Sequence, residues 1–172
     1  MGAVSRQNKR GATRHERGEE ERIMDQTQKL LQSIVENSRM GEDACDQLLQ
    51  RAQDAALRQE LMREKEFYGC AARDAENKLC AMGAKPHPKG PMARMGLWMG
   101  MQMNTAMDTS ASHLADIVIQ GATMGVVELT KARNSNPDAD AEAHGIAANL
   151  ITRQQESIDR LKAFLREKVV VK

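Results

Sequence analysis

Three polar residues occupy positions where predicted helices turn their apolar faces inward. These are Glu64 between Leu61 and Tyr68, Glu128 in the series from Leu114 to Met124, and Gln154 between Leu150 and Ile158. A lone buried carboxylate is costly, so such positions indicate a charged partner, a neutral form or a functional pocket. A nearby helix end or a local hydrogen bond would also account for each position, and the sequence leaves both explanations open.

His113 and Asp116 form a further candidate pair on the predicted helix that carries Glu128. A spacing of three residues places both side chains on one helix face, where they could ligate one metal ion or transfer a proton. Together with Glu64 and Glu128 they make up the candidate metal site, with a divalent metal such as iron or manganese as its occupant. The structural alternative is a hydrogen bond at the surface or at the end of a helical bundle.

The candidate site departs from the di-metal carboxylate sites of helical bundles. Those sites need a Glu-x-x-His pair on each of two helices and a glutamate on each of the other two. The chain has four histidines, and the residues three positions before them are Ala12, Ala84, Ser110 and Ala141. Because no Glu-x-x-His pair exists, the first expectation is a protein without a cofactor, and a bound metal is the alternative.

The cysteines and the known catalytic motifs give no stronger signal. Cys45, Cys70 and Cys80 form no CxxC pair, and the last two would lie about 15 Å apart on one predicted helix. Because that distance prevents a disulfide, we expect reduced thiols and a cytoplasmic location. There is no GxSxG motif and no zinc-ligand spacing, which favours a binding protein over an enzyme.

Methionines recur on one face of a predicted short helix over residues 92–103 and just beyond it, at Met92, Met95, Met99, Met103 and Met107. Thioethers suit Cu(I), but a stripe at helical spacing is more typical of a core or of an adaptable contact surface. The Met-rich segment, residues 92–107, is therefore the predicted surface for association with a second copy of the chain or with another protein.

The composition restricts the class of protein. Of the 172 residues, 41% are hydrophobic and 2% aromatic, and 12 are methionines, which suits a helical core of aliphatic side chains. A net charge of +1 gives no electrostatic basis for nucleic-acid binding. No apolar run reaches the length of about 20 residues that a membrane span needs. Residues 1–23 are polar, so we predict a disordered tail before a bundle at 24–168.

The prolines and the apolar spacing place the helices. Proline breaks helix interiors, and all four prolines lie at two places, within 86–91 and at 137. Three-four spacing of apolar residues predicts long helices over 25–53, 55–82, 109–134 and from about 138 to about 166. The predicted caps are Asp54, Gly83, one of Asn104, Asp108 and Thr109, and one of Asp138 and Asp140.

The connections between these helices predict the topology. Short turns make two antiparallel hairpins, and the 25 residues from 84 to 108 join them. The extended part of this connection reaches about 26 Å and its short helix about 18 Å, enough to cross a bundle from end to end. We therefore predict an all-α four-helix bundle with ferritin-like connectivity. The alternative is an up-down-up-down bundle with the Met-rich segment across one end.

Three stretches carry a resemblance to known proteins: ENSRMG at 36–41, DTSASHLADIVIQGATMG at 108–125 and SIDRLKAFL at 157–165. Through them the chain from Met24 to Leu165 resembles small, uncharacterised ferritin-like helical-bundle proteins. The resemblance implies the fold and little about activity, and the missing Glu-x-x-His set argues against iron storage. The expected function is protein binding or self-association, with degenerate ferritin-like metal binding as the alternative.

Overall fold

The computed structural model describes residues 14–87, 100 and 108–165. Within these residues the chain forms four α-helices and a short 3₁₀ turn: α1 (Arg14–Leu49), α2 (Ala55–Ala81), α3 (Ala111–Ser135), α4 (Ala141–Leu161) and the turn Lys162–Phe164. The all-α prediction is confirmed. The predicted short helix at 92–103 lies outside the described residues except at position 100. None of the described helices is long and apolar enough to cross a membrane.

Polar side chains begin three of these helices. Asp54 and Asp140 cap α2 and α4 by accepting hydrogen bonds from backbone N–H groups three residues later, both at 2.8 Å. These two predicted caps are confirmed. The predicted cap of α3 is wrong, because Ser110 takes that role and accepts a hydrogen bond from the N–H of His113. Asp108 instead accepts a hydrogen bond from the N–H of Ser110, so it orders the residue that caps the helix.

Gly83 ends α2 as predicted. Its φ of 75° lies in the left-handed region, where a residue with a Cβ atom is strained. The N–H of Gly83 donates to the carbonyl of Cys80, and the N–H of Ala84 donates to the carbonyl of Leu79, both at 2.9 Å. This pair of bonds is the Schellman arrangement, which satisfies the last carbonyls of the helix and reverses the chain.

Helix α1 begins well before its predicted start near residue 25. Residues 14–23, which the sequence placed in a disordered tail, form the first turns of α1 and are exposed. Arg and Glu dominate this stretch and are good helix formers. Extending an existing helix costs far less than nucleating one. A helix can therefore form here without the burial on which the predicted disorder was based, and the predicted helix start is wrong. The division into a tail at 1–23 and a bundle at 24–168 stays a prediction.

Contacts at one end of the bundle fix the directions of the four helices. Gln26 and Asp138 exchange two hydrogen bonds, and the N–H of Asp140 donates to the hydroxyl of Thr27 at 2.8 Å. Lys78, near the end of α2, forms an ion pair with Asp140 at 2.9 Å. The α3–α4 turn, the end of α2 and the start of the buried part of α1 therefore meet. It follows that α1 and α4 run away from this end, whereas α2 and α3 run towards it.

Aliphatic side chains from all four helices form one core. Helix α1 packs against α2, α3 and α4, and α4 also packs against α2 and α3. The largest side chains with almost no exposure are Leu30, Leu31, Ile34, Leu48, Leu57, Leu61, Leu79, Leu114, Ile117, Leu129, Leu150 and Leu161. Truncating one such side chain to alanine typically costs about 2–5 kcal/mol. These leucines and isoleucines therefore stabilise the bundle that holds the polar residues in place.

Replacing Gly83 with alanine tests the end of α2. We expect Gly83→Ala to lower the free energy of unfolding by about 1–2 kcal/mol, because a Cβ atom is strained at this positive φ. Urea unfolding followed by circular dichroism measures the change. Asparagine tolerates the left-handed region better, so Gly83→Asn should lose clearly less stability. Equal stability of Gly83→Ala and the wild type would contradict the assignment.

Candidate functional site

Glu64 lies in the interior and has a charged partner. Its side chain on α2 is only 3% exposed, and its Oε1 atom accepts a hydrogen bond from Arg160 of α4 at 2.7 Å. The same guanidinium donates to Glu60, one helical turn before Glu64. Of the explanations left open by the sequence, the structure therefore shows a charged partner, 96 residues away in the chain.

Burial dominates the electrostatics of this carboxyl group. Burial raises the pKa of Glu64 above its ordinary value of 4.5, and the charge of Glu60 adds to the rise. Ser157 and Arg160 act in the opposite direction because they stabilise the carboxylate. The two glutamates raise the pKa of Arg160, so the guanidinium stays charged. Burial therefore disfavours the charged form of Glu64, whereas the two glutamates favour the charged form of Arg160.

A second polar cluster, the amide layer, consists of Asn37 of α1, Tyr68 of α2 and Gln154 of α4. The Nε2 atom of Gln154 donates to Oδ1 of Asn37 at 2.8 Å and to the hydroxyl of Tyr68 at 3.2 Å. All three side chains are buried. Hydrogen bonds between side chains of three helices, at sequence separations of 86 and 117 residues, fix the register of those helices.

Two glycines make room for the amide layer. A Cβ atom on Gly125 of α3 would lie 2.7 Å from Nε2 of Gln154 and 2.8 Å from Nδ2 of Asn37. A Cβ atom on Gly41 of α1 would lie 2.7 Å from the ring of Tyr68. Real Cβ contacts are not this short, so the layer requires glycine at both positions. Gly125 therefore allows the backbone of α3 to approach the side chains of α1 and α4 closely.

The groups beside the amide layer that could act as nucleophile or acid are held neutral. Burial raises the pKa of the Cys45 thiol and of the Tyr68 hydroxyl well above their ordinary values. A thiol reacts as its thiolate, so Cys45 is a small core residue and not a nucleophile. All three cysteines are free, and Cys70 and Cys80 are exposed. The arrangement thus holds neutral hydrogen-bonding groups in place.

The other candidate metal ligands have local partners or lie far apart. Asp116 accepts a hydrogen bond from Gln120 at 2.7 Å, and Glu128 pairs with Lys131 at 2.8 Å. His113 and Glu128 are about 22 Å apart along α3, because each residue adds about 1.5 Å to a helix. Within the described residues, no group of three or more His, Cys, Asp or Glu side chains could hold a metal ion.

These contacts separate the four candidate ligands. Glu64 pairs with the last turn of α4, whereas Glu128 lies near the opposite end of the bundle beside Ser135 and Asn136. Glu128 and Asp116 therefore match the explanation by a local hydrogen bond. The structure does not bring the four residues together, and metal binding stays a prediction.

A groove between α1 and α3, the α1–α3 groove, has a volume of about 660 Å³. Leu79, Ala84 and Ala132 contribute apolar surface to it. Its edges carry opposite charges in pairs, Asp25 with Lys29 at 2.6 Å on α1 and Glu128 with Lys131 on α3. An apolar floor with a charge-balanced rim suits an apolar helical segment better than an ion or a nucleic acid.

Gln32 holds the chain at the wall of this groove. Its Oε1 atom accepts a hydrogen bond from the N–H of His87 at 3.0 Å, and its Nε2 atom donates to the carbonyl of His87 and to Glu36. Glu36 is buried, and its second carboxylate oxygen has no hydrogen-bond partner within the described residues. The chain therefore leaves the described residues at the groove, a few positions before the Met-rich segment.

Comparison with protein-family models, with curated proteins and with solved structures finds no match to this chain. The resemblance to ferritin-like bundles therefore stays a prediction.

The pH dependence of stability tests the burial of Glu64. Because its native pKa is raised, the native state binds more protons than the unfolded state above pH 4.5. The contribution of Glu64 to the free energy of unfolding is therefore fully present below that pH, and it is lost as the pH rises through the native pKa. Glu64→Gln should remove this decline from urea-unfolding free energies, whereas Glu66→Gln, an exposed neighbour, should retain it. Parallel curves for the wild type and Glu64→Gln would contradict the assignment.

The space requirement of the amide layer has its own test. We expect Gly125→Ala to lower the free energy of unfolding by about 1–3 kcal/mol, since the added methyl group displaces both amides. Gly145→Ala is the matched control, because Gly145 lies inside α4 and a Cβ atom there would have no neighbour within 4 Å. That change should stabilise the protein by up to about 1 kcal/mol. Thermal unfolding of both variants measures the two changes in stability. Stabilisation by Gly125→Ala would contradict the requirement for glycine at position 125.

Proposed function

We propose that this chain acts by binding and not by catalysis, and that it associates with a second copy of itself. In this association the Met-rich segment of each copy occupies the α1–α3 groove of the other. The observation that carries the proposal is the α1–α3 groove, at whose wall His87 is held a few positions before the Met-rich segment. The three free thiols are in keeping with a reducing, cytoplasmic location.

The helix directions support ferritin-like connectivity as part of this proposal. Helices α2 and α3 run the same way, and α3 is about 37 Å long for its 25 residues. The connection from residue 82 to 110 therefore starts at one end of the bundle and finishes at the other. Two antiparallel hairpins joined by such a lengthwise crossing are the ferritin-like pattern, whereas an up-down-up-down bundle would need a short turn here.

The state of the interior supports binding over catalysis. The guanidinium of Arg160 binds the carboxylates of both Glu60 and Glu64. The amide layer presents neutral groups, and burial keeps Cys45 and Tyr68 protonated. A catalytic site usually combines a nucleophile or metal with an activating base, and the described interior offers only structural pairs.

A second copy of the chain is the occupant of the α1–α3 groove that accounts for both the groove and the Met-rich segment. Each copy carries one α1–α3 groove and one Met-rich segment, so a two-fold arrangement would fill both of these grooves. Methionine side chains adapt to irregular apolar surfaces, which suits a floor of Leu79, Ala84 and Ala132. The charge-balanced rim neither attracts nor repels a strongly charged partner, and the chain itself has a net charge of +1.

Light scattering coupled to size exclusion tests the association. We expect the full chain to be a dimer, and Ala132→Glu or the double change Met95→Glu and Met99→Glu to weaken it at least about tenfold, because burying an unpaired charge costs more than about 1.4 kcal/mol. Ala56→Glu, at an exposed position of α2, should leave the dimer unchanged. Thermal unfolding checks that each variant folds. A monomer at every concentration would refute the proposal.

Elemental analysis tests the alternative of degenerate ferritin-like metal binding. The protein is purified without chelator, and iron and manganese are measured per chain. A stoichiometric metal that is lost in Glu64→Gln or Glu128→Gln would favour the metal-binding function. A dimer without stoichiometric metal would favour self-association.

A further inference from the structure

A small chamber lies beneath the α1–α3 interface, next to the amide layer. Its volume is about 30 Å³. The polar part of its wall consists of Asn37, Tyr68 and Gln154, and small residues such as Gly41, Gly121 and Ala122 form much of the remainder. The chamber belongs to the interior of a single chain, so its occupancy does not depend on the self-association proposed above.

Two of the residues that line the chamber each have one polar atom without a hydrogen bond. Asn37 and Gln154 are 1% and 2% exposed, and the Nδ2 atom of Asn37 and the Oε1 atom of Gln154 have no partner within the described residues. Leaving such atoms unsatisfied costs about 1–3 kcal/mol each. Exchanging nitrogen and oxygen in both amides keeps the bond between them and again leaves one donor and one acceptor. The need for a further partner is therefore independent of the amide orientation.

We propose that this chamber binds one water molecule, which accepts a hydrogen bond from the amide of Asn37 and donates one to the carbonyl of Gln154. The centre of a water-sized sphere can occupy about 30 Å³ of the chamber, and about 10–15 Å³ of such space is enough for one water molecule. Buried waters typically make about three hydrogen bonds to polar groups that are otherwise unsatisfied. The hydroxyl of Tyr68, which accepts a bond from Gln154, has its own hydrogen to offer as the third.

The chemistry of the wall selects a neutral, water-sized ligand. The chamber wall contains no Asp, Glu, Lys, Arg or His side chain among the described residues, so an ion would find no counter-charge. An apolar molecule would leave the donor and the acceptor unpaired. A water molecule satisfies both amides, and it adds a second link between α1 and α4 beside the direct bond of Gln154 to Asn37.

Nuclear magnetic resonance on the ¹⁵N-labelled full chain detects this water directly. We expect cross-peaks between water and the side-chain NH₂ group of Asn37 with the sign of a long-lived water in NOE spectra and the opposite sign in ROE spectra. This combination separates dipolar contact from proton exchange. Gln154→Met keeps the volume but removes the acceptor, so the cross-peaks should be lost. Gln155→Met, at an exposed neighbour, should retain them.

Xenon binding to the wild type gives a second reading that needs no variant. Dry apolar cavities bind xenon, whereas a hydrated polar chamber does not. We expect no xenon-induced shifts of the Val118 and Ala122 methyl signals, because these residues line the chamber. Absence of the water cross-peaks in the folded wild type, or saturable xenon shifts at these methyl groups, would overturn the proposal.

Discussion

The side-chain amide of Gln154 is the point on which the helix arrangement depends. It bonds to α1 through Asn37 and to α2 through Tyr68, and the backbone of α3 approaches it at Gly125. A leucine core tolerates small shifts of one helix along another, since apolar contacts are not directional. Buried hydrogen bonds do not tolerate such shifts, because a slipped helix leaves amides unsatisfied at about 1–3 kcal/mol each. The core supplies stability, and the amide layer selects the register.

Contacts at the two ends of the bundle select the relative orientation of the two helical hairpins. At one end Lys78 pairs with Asp140, and Gln26 bonds to Asp138. Towards the other end Arg160 pairs with the buried Glu64. Exposed ion pairs contribute little energy, and a buried carboxylate can cost more than its partner returns. We therefore regard these contacts as selecting one orientation of the hairpins over its reverse, at some cost in stability at Glu64.

Local features of the structure followed from the sequence, and long-range ones did not. Spacing predicted the four long helices, and side-chain chemistry predicted the caps at Asp54, Gly83 and Asp140, because these depend on residues within one or two turns. The partner of Glu64 lies 96 residues away, and no local pattern indicates it. The same holds for Asn37, whose role depends on which helices meet. Gln154 was recognisable as a polar residue on an apolar face, but its function in the layer was not.

The groove and the chamber lie one after the other along the interface between α1 and α3. Glu36 and Asn37 are neighbours on α1, and a helix turns by about 100° per residue, so they point to different sides. Glu36 lines the groove and bonds to Gln32, which holds His87, whereas Asn37 lines the chamber. A segment bound in the groove would contact α1 at Glu36, and the next residue of α1, Asn37, belongs to the amide layer. A Cβ atom on Gly125 would lie within 3 Å of Asn37 and Gln154, so α3 packs closely against the amide layer. Two consecutive residues of α1, Glu36 and Asn37, thus connect the proposed docking groove to the layer that sets the helix register.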